Sequence, residues 1–286
     1  MNRVFRSDLK IIGKLFNSET SQIFKLDNGS ILKIYKPLIL MIYKMMGMSL
    51  ECKIMQAKPI KNVPEIIVPE IGVYDENNCF VGSIMKSAKG IDYNTYDDNL
   101  LITERCNLKK YANMHTKLES IVKRGNNEGI VFPDLCTCDN IYIDSYGNIQ
   151  LIDYDGLQIG KFKAPSMSTS LGDSDQYLIP KYCKNGLFTP NLDKKSLIIL
   201  YFLLTFNIDL NKIGIINPSD GKQITLEDIF DVINLQDNDI KHKVWKCFQP
   251  NVENDFLGSD VHRIADEYDM QVRTINGCYL KRLRKK

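Results

Sequence analysis

Extended and helical periodicities divide the chain. Between residues 8 and 36, apolar and polar positions alternate through "LKIIGKLF", "SQIFKLDNG" and "SILKIYK", the pattern of strands with one buried face. Asp27-Asn28-Gly29 lies between the second and third of these, where Asn and Gly accept the positive φ of a tight hairpin turn. A helical stretch is expected near 48–58 ("MSLECKIMQAK"), followed by two more extended runs, "EIIVPEIGVYDENN" and "CFVGSIMK", joined by an Asn-rich turn. The spacing then changes to threes and fours. "NLLITERCNLKKYANMHTKLESIVKR" (99–124) carries Leu108, Ala112, Leu118 and Ile121 at helical intervals, and "DKKSLIILYFLLTF" (193–206) is apolar almost all round, as a helix at the centre of a lobe is. More helix is expected at 225–247 and 259–271. The pattern predicts an α+β protein in two parts: residues 1–86, a small antiparallel sheet with one helix, and residues 87–286, mainly helical.

Between the helical stretches lies a third hairpin signal, "DNIYIDSYGNIQLIDYDG" (139–156). Ile141 and Ile143 alternate with Tyr142 and Asp144, Ile149 and Leu151 alternate with Gln150 and Ile152, and Ser145-Tyr146-Gly147-Asn148 has turn chemistry. A loop closing symmetrically on those four residues puts Asn140 directly opposite Asp153, with their Cβ atoms about 4.5–5.5 Å apart. A carboxylate and a carboxamide oxygen that close suit a hard cation that keeps most of its water, as magnesium does. On the hairpin alone, polar residues that merely end two strands are the simpler account.

Composition narrows the partners. The 286 residues, 44% of them hydrophobic, suffice for a sizeable core, and a net charge of +2 from 37 basic and 35 acidic residues gives no global attraction to nucleic acid or anionic membrane. Eight cysteines are scattered without a disulfide framework, and "MNRVFRSDLK" has no apolar signal core, so the cytoplasm is the expected compartment. Cys136 and Cys138 lack a second pair at zinc-binding spacing. "PLILMIYKMMGMSL" (37–50) is interrupted by Lys44 and too short to span a bilayer; it is expected to be a buried loop and helix, with a docking patch as the alternative. The tail "KRLRKK" (281–286) reads as a solvated end, and His115, His242 and His262 as structural or exposed.

The sequence resembles the protein-kinase-like superfamily over nearly its whole length. "LIDYDG" is similar to the family's D-F-G segment, with Asp155 intruding before Gly156, and Asn140 and Asp153 stand where that family has its metal-binding Asn and Asp. "FPDLCTCDN" (132–140) resembles the catalytic loop H-R-D-L-x-x-x-N, which makes Asp134 the residue that accepts the substrate hydroxyl proton. The family's spacing is five residues, whereas Asn140 follows Asp134 by six, so either the loop bulges by one or the register brings Leu135 to that place; Asp139 is an outside candidate. Phe132 and Pro133 replace the family His and Arg, so no Arg stands ready to clamp a phosphorylated activation loop.

"ILKIYK" resembles V-A-I-K, which makes Lys33 the lysine of the α and β phosphates and Glu51 its helix partner. The phosphate-covering loop falls in "GKLFNSETSQIF" (13–24), where only Gly13 survives and Ser18 and Thr20 could substitute hydroxyls for backbone approach, although Glu19 adds negative charge. "SIMKSAKG" (83–90) resembles the hinge, with Met85 guarding the adenine pocket and the backbone of Lys86 to Ala88 facing the base. "LQIGKFKAPSMSTSLGDSDQYLIPKY" (157–182) takes the place of an activation segment, and Asp193 that of the acid that holds the catalytic loop, a role compatible with a plain helix N-cap. The resemblance implies a bilobal fold, ATP and magnesium as cofactors, and phosphoryl transfer to a hydroxyl, most simply a protein Ser/Thr. A small-molecule phosphotransferase and a nucleotide-binding or scaffolding pseudokinase are the alternatives.

Overall fold

The computed structural model describes residues 2–45, 47–58, 60, 62–93, 108–135, 138–164, 182–206, 208, 210, 223–233, 235–248 and 258–267. Six strands, β1 (Asn2–Phe5), β2 (Ile11–Asn17), β3 (Ser21–Leu26), β4 (Ile31–Tyr35), β5 (Pro69–Tyr74) and β6 (Phe80–Met85), form one sheet in the order β1-β5-β6-β4-β3-β2. All neighbours are antiparallel except β1, which runs parallel to β5, so the sheet is mixed rather than purely antiparallel. That edge strand has no alternation to read: of its four residues only Val4 is half-buried. Along β4 the period of two separates the sheet's faces. Leu32 and Ile34 join Leu26, Val73 and Ile84 in one apolar cluster, while Tyr35, the next-but-one residue after Lys33, packs into another.

Two helices, not one, follow β4. The first, α1 (Pro37–Met45), starts on a proline whose fixed φ suits a first helical turn. It turns Leu38, Met41, Ile42 and Met45 to solvent and buries Tyr43, so the expected buried stretch is in fact largely exposed on one face. The second, α2 (Leu50–Met55), is capped by Ser49, whose Oγ accepts from the Cys52 amide at 3.1 Å.

Downstream come the short strands β7 (Ile91–Asp92), β8 (Ile130–Val131), β9 (Ile141–Ile143), β10 (Ile149–Leu151), β11 (Gln158–Ile159), β12 (Cys183–Lys184) and β13 (Leu187–Phe188). The described helices are α3 (Leu108–Asn127), α4 (Pro190–Phe206), α5 (Leu226–Val232), α6 (Asn238–Cys247) and α7 (Gly258–Glu267). Ile198, Phe202, Phe230, Val244, Val261 and Ile264 bury a common core between α4 and its three successors. A larger cluster runs from Leu50 and Ile54 of α2 through Leu118 and Ile121 of α3 to Ile141, Ile143 and Leu151. Among the described residues no helix is long and apolar enough to cross a membrane.

The hairpin of β9 and β10 is tied to the first sheet from two directions. Segment 65–67, just before β5, brackets β10: the Leu151 amide donates to Glu65 O at 2.9 Å and the Ile67 amide to Leu151 O at 2.8 Å. On the other side β7 pairs with β9, and the chain leaving β6 reaches it through Gly90, whose φ is +89°. A Cβ at Gly90 would lie 2.0 Å from Ile143 O, so only glycine permits this approach.

Candidate functional site

The hairpin closes one residue out of the expected register. Ile149 faces Ile143 and Leu151 faces Ile141, and the Ile152 amide donates to Asn140 O at 3.0 Å. Asn140 therefore stands opposite Ile152, not Asp153, because the loop runs from Asp144 to Asn148 with Gly147 at φ +73°, one residue longer than a symmetric four-residue closure. Asp153 is carried past the ladder in the left-handed conformation (φ 65°, ψ 47°) and starts a short 3-10 turn, Tyr154–Gly156. Its carboxylate folds back over Gly156, where a Cβ would come within 2.3 Å of Oδ2. Asn140 and Asp153 still border one cleft, together with Phe132, Asp134, Leu135 and Gly156.

The turn aims Asp153 and Asp155 at one cation. Lys33, buried at 6% exposure on β4, donates to Asp153 Oδ1 and to both oxygens of Asp155 at 2.8 and 2.9 Å. Burial alone would lower the Lys33 ammonium, but the Asp153 and Asp155 carboxylates beside it hold its pKa well above the ordinary range. Burial, and then the neighbouring charge of Asp153, push Asp155 upward against the pull of Lys33.

Glu51 does not join this group. It accepts the Tyr74 hydroxyl at 2.8 Å, and the buried member of α2 is Lys53, whose ammonium donates to Asp155 O at 2.7 Å and to Leu157 O. Burial lowers the Lys53 pKa from its usual 10.5 to about 8, with Asp155 and Asp153 opposing the fall. The expected Lys33–Glu51 pair is thus replaced by Lys33–Asp155. The exchange was readable in part: Leu50 and Ile54, four apart, mark the inner face of α2, and Lys53 lies on it whereas Glu51 does not. Asp155 gave no such signal, because its inward aim depends on the left-handed φ of Asp153.

The loop before the hairpin is fixed from behind. Asp193 is not an N-cap, since α4 begins at Pro190. It is fully buried inside the first turn and accepts the Phe132 amide at 2.8 Å and the Asn126 side-chain amide at 2.7 Å. Burial drives its pKa well above the usual carboxylate range, against the pull of the Phe132 hydrogen bond. Phe132, Leu135 and Cys138 are buried while Asp134 is half-buried at the cleft; Asp139 is exposed. Residues 136 and 137, and with them the path of the extra residue, lie outside the described residues, as do 165–181 of the activation-like segment and the 281–286 tail.

The other candidate positions scatter by role. Gly13 sits at a register shift between β2 and β3 with open space around it. The Ser18 hydroxyl is used by its own turn, accepting the Thr20 and Ser21 amides at 3.2 and 2.9 Å, and Thr20 Oγ1 is 3.2 Å from Ser18 Oγ. Met85 is buried at the end of β6, opposite Ile31 and Pro69. Lys86 pairs with Glu70 at 3.2 Å, and Ala88 lies half-buried in the crossing to β7. His115 is buried against the Tyr201 ring, and burial lowers its pKa to about 3.

Among the described residues no three His, Cys, Asp or Glu side chains are grouped to hold a metal ion unaided. Asn140 and Asp153 border one small, mostly apolar pocket, and a carboxamide with a carboxylate is a donor pair of the type that suits a hard cation taking its remaining ligands from water and phosphate. No protein-family model and no curated protein matches the chain.

Proposed function

We propose that this protein is an ATP-dependent phosphotransferase of the protein-kinase-like class, with a Ser/Thr hydroxyl as acceptor. The observation that carries the reading is the meeting of Lys33 with Asp153, 120 positions apart in sequence, beside a cleft that Asn140 and Asp134 also border. A buried ammonium facing two carboxylates is costly unless each charge is used, and phosphoryl transfer uses this set. ATP would supply the γ-phosphoryl group, and magnesium would neutralise charge on it. Lys33 would exchange part of its carboxylate contact for the α and β phosphates, while Asp153 and Asn140 would hold the metal. Asp134 would orient the acceptor hydroxyl and take its proton, so that positioning and charge compensation, not a covalent enzyme intermediate, lower the barrier.

A second reading, a nucleotide-binding or scaffolding pseudokinase, is favoured by the Glu51–Tyr74 hydrogen bond and by a Ser18 hydroxyl already committed to its own turn. Purified protein with Mg and γ-labelled ATP, with and without a generic protein acceptor, separates the two, alongside thermal shifts with ATP in the presence and absence of Mg. Transfer that survives in wild type and disappears in Asp134→Ala, with nucleotide binding retained, supports the enzyme. Binding without turnover supports the pseudokinase, and no binding at all sinks both.

A further inference from the structure

A second cavity opens on the far side of Asp155, between the α1–α2 connection and the segment that follows β11. It encloses about 290 Å³ and is bordered by Tyr43, Met48, Leu50 and Phe162 as apolar walls, with Ser49, Lys53, Asp155, Lys161 and Lys163 as polar members. Its charge is unbalanced. Three lysines and one aspartate border it, and both oxygens of that carboxylate are already bonded to Lys33. Among the described residues, ion pairs run through Lys10, Lys33, Lys86, Arg124, Lys243 and Arg263, but none through Lys53, Lys161 or Lys163. Lys53 is buried at 4% exposure, with its ammonium held by the backbone carbonyls of Asp155 and Leu157. Lys161 and Lys163 are exposed; Lys161 Nζ lies 5.7 Å from the Phe162 ring centre, and Lys163 Nζ rests beside Gly186 between β12 and β13, from where its flexible stem can swing to the cavity.

We infer that this cavity binds a small phosphate monoester, its dianionic head among the three lysines and an apolar or aromatic body against Tyr43, Met48 and Phe162. A phosphate brings close to two negative charges and three acceptor oxygens, which matches three point-like ammonium donors better than a carboxylate does. The volume is near the lower end of small-molecule sites, roughly 300–1,000 Å³, and has room for a head group and one ring. Because Lys53 donates to the backbone of residues 155 and 157, an occupant that meets its ammonium would steady the stretch that carries Asp155. The site needs no phosphotransfer chemistry and stands apart from the cleft of Asp134, Asn140 and Asp153, none of which borders it.

The test is calorimetric titration of the full chain with phenyl phosphate at near-physiological salt, with phenol as the neutral control. Wild type is expected to bind phenyl phosphate saturably at millimolar concentration or below and not to bind phenol. The Lys161→Ala/Lys163→Ala double variant, which alters only exposed side chains, is expected to bind roughly tenfold more weakly or not at all, the scale of losing charge-assisted contacts. Lys10→Ala, which removes an exposed lysine elsewhere on the surface, should bind as wild type does. Absence of saturable binding, equal binding of phenol, undiminished binding by the double variant, or an equal loss in Lys10→Ala would each overturn the assignment.

Discussion

Replacing Lys53 by Met keeps the length and apolar stem of the side chain and removes only the ammonium. Lys53 is held at about 8 in the fold against 10.5 ordinarily, chiefly because burial disfavours its charge. At about 1.4 kcal/mol per pH unit, that lowering corresponds to about 3 kcal/mol of native-state cost while the group is charged. The sign follows from proton counting. Between pH 8 and 10.5 the unfolded chain keeps the proton that the folded one has lost, so folding stability rises with pH across that window. Below pH 8 both states are protonated and the full cost is present; above 10.5 neither is, and the cost is gone. Lys53→Met cannot titrate, so the wild-type advantage over the variant should grow by about 3 kcal/mol between pH 7.5 and 10.5. The Asp155 and Leu157 carbonyls left without their donor add a pH-independent loss of about 1–3 kcal/mol each to the variant. Urea unfolding followed by circular dichroism at intervals over that range measures the difference, and the tyrosines and lysines common to both proteins cancel. A difference that stays flat with pH would refute the burial of the Lys53 ammonium, and with it the account of how α2 is joined to the Asp155 turn.

Three further outcomes can be checked. His115, lowered to about 3 by burial, binds its proton less readily folded than unfolded; wild type should therefore lose up to about 1.4 kcal/mol per pH unit relative to His115→Gln as pH falls from about 6.5 toward 3, measured by urea unfolding. Asp193→Ala strips acceptors from the buried Phe132 amide and the Asn126 side chain, and should cost about 2–5 kcal/mol in chemical denaturation while Asp193→Asn costs less. If the protein binds ATP as proposed, Glu51→Gln should leave that affinity within about twofold of wild type, because Glu51 bonds Tyr74 rather than Lys33; a loss of a hundredfold or more in a nucleotide titration would mean that a Lys33–Glu51 pair forms when nucleotide binds.

Period-two and helical spacing made most elements legible, because strands and helices that bury one face must repeat their apolar residues at that face's interval. β2 to β6, α2, the β9–β10 hairpin and α4 all announce themselves this way. The failures share a cause: each depended on a partner or a backbone angle that no local pattern encodes. β1 is a strand only because β5 offers it an edge. α1 looked buried because it is apolar, yet hydrophobicity alone does not say which apolar surface finds a partner. The hairpin slipped one residue because Asp144 joins Ser145 to Asn148 in the loop, and a shift of one place in a ladder moves every facing pair. Of the candidate residues, Lys33, Asn140, Asp134 and Asp153 gather around neighbouring surfaces, whereas Asp155 and Lys53 needed the left-handed Asp153 and the inner face of α2 to be seen.

Asp155 explains why Glu51 is free to bond elsewhere. A buried lysine needs a carboxylate, but the requirement is electrostatic and does not specify the element that supplies it. Once the Asp153 turn delivers a second carboxylate to within 2.9 Å of Lys33, a third from α2 would crowd three ions of one sign around a single buried cation. The helix instead presents Lys53, whose ammonium takes the backbone carbonyls of Asp155 and Leu157 and adds no further negative charge beside Lys33. The same exchange moves the link between α2 and the hairpin from a side-chain ion pair onto the backbone, through the carbonyls of Asp155 and Leu157. Any shift of α2 must then drag residues 155–157, and with them the carboxylate that holds Lys33, so in this protein the position of the helix and the charge environment of Lys33 cannot be set independently.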